Sequence, residues 1–286
     1  MWKYKIYQIK VFTFLAFLAF GQAFAKDSYL AEQEHCKKIL RKLWEKQGGQ
    51  AMPSIYIESI AEYGKPAEYD IQRKSIIIDP RTYKLCIEVA DQREDALAFL
   101  IAHELVHAYQ HNSFSYSSPG FFVKSKSLRS WAESQKRRRR QMESKADIWG
   151  AVLCYLAGYR IEDSIPDFIE ELYDAFELNE DDPLYDSKKE RIAIARRAKE
   201  EVKKALQLYD MAVYLSLLQQ HDKDTVLYQY LIDDFKSAEF YNNLGLSYAK
   251  LALPMLEEPY RSYPYPFVLD TESRLEKISK GRLGAN

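Results

Sequence analysis

A pair of histidines four residues apart constrains the fold of this chain more than any other feature. His103 and His107 enclose Glu104 in the segment H-E-L-V-H, and the apolar residues at positions 96, 99 and 100 precede them at helical spacing. Side chains four residues apart lie on one face of an α-helix, so both imidazoles can bind a single zinc ion. Glu104 would then lie beside a zinc-bound water and could accept its proton. We therefore predict a helix that carries two zinc ligands and a general base.

The first 25 residues have the three parts of a secretory signal peptide. Three lysines form the basic region, positions 11–20 form the apolar region, and Ala23-Phe24-Ala25 is a small-x-small cleavage site. An apolar region this short falls well below the roughly 20 residues that span a bilayer. We expect an exported protein, periplasmic or secreted, whose mature chain begins at Lys26 and contains no transmembrane segment.

The charge of the mature chain gives no reason to expect nucleic acid as a partner. Without the signal peptide the chain has 38 basic and 42 acidic residues, a formal charge of −4. Its cysteines, Cys36, Cys86 and Cys154, are too few for a disulfide framework and too far apart for a cysteine zinc site. One disulfide and one free thiol are compatible with this number, and we assign the cysteines no functional role.

Short apolar and β-branched runs predict a small sheet in the first third of the mature chain. Residues 69–78 have the pattern of a β-hairpin that leads into a turn at Asp79-Pro80, and residues 83–89 are a further strand candidate. An edge strand beside the zinc could align an extended peptide by backbone pairing.

Helices are predicted on both sides of this sheet, which makes the fold class α+β. The first helix is expected over 26–50, with an end at Gly48-Gly49. The second begins at the capping pattern of Asp91 and Glu94 and continues through His107. Further helices are expected from near Gln141 to about Gly158, and almost continuously from Ser187 onward.

A zinc hydrolase usually has three protein ligands and leaves a fourth position open for water, so a third ligand is needed. His111 lies one turn beyond His107, about 6 Å further along the helix axis, which is too far to converge with both histidines. Glu143 is the better candidate because it heads a helical stripe of small residues, and small residues let two helices approach closely. That stripe comprises Glu143, Ala146, Asp147, Gly150, Ala151 and Cys154.

Asp147 follows Glu143 by one helical turn and has a different expected task. Its carboxylate could accept the free ring N–H of a ligand histidine and so fix the tautomer of that histidine. The alternative is a solvated acidic pair that flanks Lys145, which would be the better interpretation of Glu143 and Asp147 taken alone. The histidine pair upstream favours the zinc interpretation.

The segments A-H-E-L-V-H at 102–107 and E-S-K-A-D at 143–147 together resemble the gluzincin metallopeptidases of the HtpX and CAAX-prenyl-protease type. That family has the pattern A-H-E-x-x-H followed by E-x-x-A-D, and the resemblance covers roughly residues 55–200. It implies a zinc ion bound by His103, His107 and Glu143, with Glu104 as general base. Asp147 would support the site as a hydrogen-bond partner of a ligand, without binding the ion itself. The family's membrane helices are missing here, so the similarity is to its exported members, some with tetratricopeptide-like tails.

The resemblance also implies a division of the chain and one departure from the family. A zincin-like metallopeptidase domain would span 26–200 and an α-helical, tetratricopeptide-like region 201–286. The family often has His-Pro shortly before a Glu-Arg pair, which is Glu190-Arg191 here, but Tyr185 and Asp186 occupy those positions. A tyrosine hydroxyl can donate to a developing oxyanion, so Tyr185 is a candidate catalytic residue, or else an ordinary loop tyrosine. His221, in a polar turn, is the other option and is better explained as structural or solvated.

The C-terminal region contains one partial repeat signal. Tyr241–Tyr248 matches the first half of a tetratricopeptide pattern, and only Tyr214 aligns 34 residues upstream, so one or two helical hairpins fit rather than a solenoid. A generic helical hairpin is the alternative. The Pro-rich, aromatic segment that follows could lie across a groove.

Five consecutive basic residues at 136–140 precede Glu143. A solvated helix face is the default interpretation, and attraction to an anionic membrane or an acidic partner is the more specific one.

Together these patterns predict a zinc-dependent endopeptidase that hydrolyses exported or envelope proteins, with the helical tail recruiting or restricting protein substrates. The alternative is a binding or chaperone-like module with a structural or latent zinc site. Glu104 argues for the enzyme, because a structural zinc does not need a general base.

Overall fold

The computed structural model describes residues 29–49, 51–60, 65–88, 93–117, 128–176 and 187–269, with the backbone alone at 88, 93, 111–117 and 128–135. The predicted signal peptide lies outside these ranges. The candidate Tyr185 and the predicted capping residue Asp91 also lie outside them.

The described chain is mostly helical with one small sheet, which confirms the α+β class. The elements are, in chain order, α1 (Leu30–Gln47), β1 (Ser54–Ile57), β2 (Ala67–Asp70), β3 (Ser75–Ile78), α2 (Pro80–Glu88), α3 (Arg93–Ser117), α4 (Leu128–Leu156), α5 (Ile165–Phe176), α6 (Lys188–Leu217), α7 (His221–Asp234), α8 (Ala238–Ala252) and a 3₁₀ turn (Leu253–Met255).

The sheet is mixed and has the order β1-β3-β2. β2 and β3 form the predicted antiparallel hairpin, with Ala67 opposite Ile78, and β1 pairs with β3 in parallel. Every side chain of β3 is buried, because this β-branched strand lies between the other two and beneath the helices. The outer strands β1 and β2 are the two edges of the described sheet.

The strand predicted at 83–89 is wrong, because residues 80–88 form the helix α2. Asp79 acts as the helix cap: its Oδ1 accepts the backbone N–H of Arg81 at 2.9 Å. Pro80 fits the first helical position, where its missing N–H needs no partner. The short apolar alternation at 83–87 suits a strand and one face of a helix equally, and the cap decides between them.

The two long helices α3 and α4 form the centre of the molecule. All side chains from Ala96 to Val106 are buried, because α1, α2, α4 and the sheet surround α3. The helix predicted around His103 is therefore confirmed. α4 begins at Leu128 rather than near Gln141, because arginine, lysine and glutamine favour the helix and extend it upstream.

The C-terminal helices are continuous with this core. α6 starts at a capping box in which Ser187 and Glu190 bond reciprocally, which confirms the helical start at Ser187. The Trp149 ring of α4 stacks on Phe235 at 4.6 Å between centroids. Gln47 donates to the backbone oxygen of Lys236 at 2.9 Å. One hydrophobic core thus includes both the sheet region and α7 and α8.

The predicted disulfide alternative is not realised, since Cys36, Cys86 and Cys154 are buried free thiols. Within the described ranges, the helices are all too short or too polar to cross a bilayer.

Candidate metal centre

The approach of α3 and α4 depends on a glycine. A Cβ atom on Gly150 would lie 3.1 Å from the backbone nitrogen of His103 and 3.3 Å from its Cα, so any larger residue would separate the helices. Ala146, Ala151 and Cys154 are also buried. The stripe of small residues therefore lies where the sequence places it, between the histidine helix and its neighbour.

This approach brings His103, His107 and Glu143 together. The Nε2 atoms of the two histidines lie 3.0 Å apart. Glu143 places Oε2 3.4 Å from Nε2 of His103 and Oε1 3.5 Å from Nε2 of His107. Ligands held at about 2.0–2.1 Å from a tetrahedral zinc lie about 3.3 Å from one another, so these separations fit a single ion.

Asp147 contacts His103 on the side of the ring away from the cluster. Its Oδ1 lies 3.0 Å from Nδ1 of His103, the contact that the sequence predicts. Because the carboxylate can only accept, Nδ1 carries a proton, and Nε2 is the nitrogen that can bind a metal once it has lost its own proton. The side chain of Asp147 is fully buried.

Arg191 supports this carboxylate from α6. Its guanidinium bonds both oxygens of Asp147, with Nη2 at 2.7 Å from Oδ1, and Nη2 is also 3.8 Å from Oε2 of Glu143. In the sequence, Arg191 is recognisable only as half of a Glu-Arg pair, and its position predicts no contact. A basic residue directly after a capping glutamate gives no signal of burial, so the pattern could not reveal this role.

Gln110 is a second residue of the site for which no role was predicted from the sequence. Its Oε1 lies 3.4 Å from Nδ1 of His107, and its Nε2 donates to the backbone oxygen of Met142 at 3.4 Å. The glutamine thus orients the second histidine as Asp147 orients the first. Its spacing of three residues from His107 was the available signal.

The electrostatics of the cluster favour a bound cation. Burial alone would raise the pKa of Asp147 and Glu143, but Arg191 and His103 hold both carboxyl pKa values below their usual range. Burial would lower the pKa of His103, but bonds to Asp147 and Glu143 raise it to about 10. Without metal, His103 therefore holds a proton that a divalent cation must displace.

Glu104 lies outside the ligand cluster although it neighbours His103. The residue is 7% exposed, and its carboxylate makes no hydrogen bond or ion pair with any described residue. A buried carboxylate without a partner is costly unless water or another ligand contacts it. Among the described residues, none competes with water for this carboxylate.

The remaining sequence candidates are His111, Tyr185 and His221. The side chain of His111 and all of Tyr185 lie outside the described structure. Nδ1 of His221 lies 3.0 Å from Oδ2 of Asp224 within α7, so this histidine has a local structural partner.

Comparison of the chain with protein-family models, curated proteins and solved structures finds no match.

Proposed function

We propose that the protein is a zinc-dependent endopeptidase of the gluzincin kind, with a zincin-like domain, that acts on exported or envelope proteins. The observation that carries this proposal is the convergence of His103, His107 and Glu143, with Glu104 directly after His103 in the chain. Export is inferred from the signal-peptide pattern of the first 25 residues.

The donor set favours zinc over the other common divalent ions. Two imidazole nitrogens and one carboxylate oxygen match catalytic zinc sites, whereas calcium and magnesium prefer oxygen ligands throughout. A bound zinc ion would lower the pKa of its water and polarise the scissile carbonyl.

Glu104 carries the proton transfers of the proposed reaction. It accepts a proton from the attacking water and donates it to the amine that leaves when the peptide bond breaks. Asp147 and Gln110 hold the two histidines in the tautomers that the chemistry requires.

The sheet offers a site for an extended substrate. β2 is an edge strand and contacts α3, the helix of the two histidines. A peptide paired along β2 would receive backbone hydrogen bonds irrespective of its sequence. An endopeptidase with several substrates needs binding of this sequence-independent kind.

The decisive experiment compares the wild type with Glu104→Gln. The wild type should bind one zinc per chain and cleave an unfolded exported protein, and the variant should bind zinc equally but cleave roughly 100- to 10,000-fold more slowly. Glu45→Gln, an exposed change of the same kind on α1, is the matched control. Substoichiometric zinc, or undiminished cleavage by Glu104→Gln, would refute the mechanism.

A binding or chaperone-like function is the second candidate. Tyr214, Tyr241 and Tyr248 are large exposed side chains on the C-terminal helices, a composition suited to partner contact. Partner capture that needs these tyrosines, with Glu104→Gln having no effect in vivo, would favour this function.

A further inference from the structure

Helix α6 carries two apolar stripes on different sides. The stripe that packs on the core is buried and includes Val202, Leu206, Tyr209 and Val213. A second line of apolar residues has spacings of three, four and three and comprises Leu208, Met211, Leu215 and Leu218. Within it, Met211 is 53% exposed and Leu218 is 67% exposed. One apolar stripe is enough to hold a helix against its own core, so the second suits a contact with another molecule.

The C-terminal part of α6 forms an antiparallel hairpin with α7. Near the turn, the hydroxyl of Ser216 donates to Oδ2 of Asp224 at 2.7 Å. Further from the turn, the rings of Tyr209 and Tyr228 meet edge to face, with centroids 6.5 Å apart. These contacts fix the register of the two helices, which therefore present a common surface on each side of the hairpin.

Helix α7 adds Leu227 and Tyr230 to the surface that carries the second stripe. Lys204 lies on the line of that stripe, one turn before Leu208. The pKa of Lys204 is raised, first by its bond to Glu201 and further by groups that include Tyr230, so Tyr230 lies beside this line. Leu227 precedes Tyr230 by three residues and shares its side of α7. The α6–α7 face thus comprises Leu208, Met211, Leu215, Leu218, Leu227 and Tyr230.

The size of the α6–α7 face suits a protein interface. The 14 residues of α7 make the face about 21 Å long, and two adjacent helices make it about 20 Å wide. Stable interfaces bury roughly 800 Å² per partner, which a ridged surface of these dimensions supplies. Monomeric proteins rarely leave an apolar surface of this extent in contact with water.

The spacing of the second stripe matches the same stripe read in reverse. Its intervals of three, four and three residues are the heptad pattern of helices that pack side by side. The order of these intervals is palindromic, so an antiparallel second copy aligns Leu208 with its Leu218 and Met211 with its Leu215. A surface that is complementary to itself is what a two-fold symmetric contact requires.

We propose that the protein forms a two-fold symmetric dimer in which the α6–α7 faces of two copies pack into a four-helix bundle, with α6 antiparallel to its copy. This inference goes beyond the proposed function and does not depend on it. Met211 follows Arg191 by 20 residues on α6, about 30 Å along the axis, so the interface leaves the metal cluster of each copy uncovered.

A second copy explains the α6–α7 face better than a bound peptide strand or a membrane does. A strand presents its side chains to one face at every second residue, which does not match intervals of three and four. A bilayer has no period of its own, so it would not require apolar residues at heptad spacing.

The test is sedimentation equilibrium of the mature full-length protein, with the wild type expected to be dimeric. Met211→Glu and Met211→Lys should each raise the dimer dissociation constant at least about 100-fold, because a two-fold interface contains each buried charge twice. Tyr241→Glu, at an exposed position of α8 outside the face, is the matched control and should change it less than about twofold. Since Met211 is exposed in the single chain, both variants should keep the Tm of the monomer.

A mixture of the two Met211 variants tests the identity of the partner. Position 211 lies close to the two-fold axis, so its charges repel in a dimer of either variant alone and attract in the mixed dimer. An equal mixture of Met211→Glu and Met211→Lys should therefore recover the dimer. That recovery requires a second copy of this chain as the occupant of the face.

Three results would overturn the inference. The first is a wild type that remains monomeric even at about 100 μM, where weak interfaces still associate. The second is a dimer that neither Met211 variant weakens, and the third is a mixture that stays monomeric. A monomeric wild type that sediments with phosphatidylglycerol vesicles, and loses this binding in Met211→Glu, would assign the face to a membrane instead.

Discussion

Gly150 of α4 lies directly against the backbone of His103 on α3. The hypothetical Cβ distances of 3.1 and 3.3 Å are to backbone atoms, which cannot rotate away as a side chain could. The glycine therefore sets the separation of the two helices that supply the metal ligands. Its function in the site is geometric, since it contributes no polar group.

Gly150→Ala should consequently weaken metal binding as well as the fold. We expect overpacking to lower the free energy of unfolding by about 1–3 kcal/mol and the displaced Glu143 to raise the zinc dissociation constant. Gly245→Ala is the matched control, because nothing lies within 4 Å of its Cβ position in α8. The free energy of unfolding of that variant should rise by up to about 1 kcal/mol, because alanine has a higher helix propensity than glycine. Urea unfolding and titration against a zinc chelator measure both effects; equal zinc affinity in Gly150→Ala would contradict the geometric argument.

Arg191 and Asp147 should behave as one unit. Arg191→Met leaves the buried carboxylate without its main partner, which should cost about 3–5 kcal/mol of unfolding free energy. Asp147→Asn should raise the zinc dissociation constant roughly 10- to 100-fold, because it no longer fixes His103 firmly.

A double-mutant cycle of these changes tests the coupling between the two residues. The double variant should lose less stability than the sum of the single losses, since both halves of the pair are then neutral. Additive losses in chemical denaturation would mean that the pair contributes no specific interaction.

The sequence predicted the ligand helix well because its information is local. Four-residue spacing places His103 and His107 on one face, and the small residues after Glu143 predict close helix packing. The buried partner of Asp147 was beyond such reasoning, because Arg191 lies 44 residues further along the chain and no period connects them.

The errors have local causes as well. The apolar alternation around Tyr83 suits either element, and only the bond from Arg81 N–H to Asp79 identifies a helix cap. The start of α4 was predicted too late, because a run of charged residues predicts exposure to solvent but does not show where a helix begins. Helix ends without a cap residue are poorly defined in sequence.

The metal-free protein should lose stability as the pH rises. The pKa of His103 increases from 6.5 to about 10 on folding, so its contribution is complete below about pH 6.5 and disappears as the pH rises through 10. Thermal unfolding in a chelating buffer should therefore show a falling Tm between pH 7 and 10. His103→Gln should remove most of this slope.

Zinc binding should release a proton from the same histidine. At pH 7 the metal-free His103 is protonated, and a ligand imidazole must be neutral, so about one proton should leave per zinc bound. Calorimetric titrations in buffers of different ionisation enthalpy count these protons. A binding enthalpy that does not depend on the buffer would exclude the protonated state.

Glu239 should connect the stability of the C-terminal helices to that of the metal-site region. Its buried carboxylate lies 3.0 Å from Nζ of Lys46 on α1 and accepts the hydroxyl of Tyr209 on α6. Glu239→Ala should lower the unfolding free energy by about 3–5 kcal/mol, because the partly buried ammonium of Lys46 and the buried hydroxyl of Tyr209 each lose an acceptor. Glu257→Ala, at an exposed position, should change it by less than about 0.5 kcal/mol.

The shape of the unfolding transition gives an independent test of that connection. Trp149 of α4, the helix of Glu143, stacks on Phe235. Tryptophan fluorescence and far-UV circular dichroism should therefore report one coincident transition. Glu239→Ala should shift both curves together to lower denaturant. Earlier loss of helix than of the tryptophan signal would mean that the C-terminal helices unfold separately, and that they support the metal site only weakly.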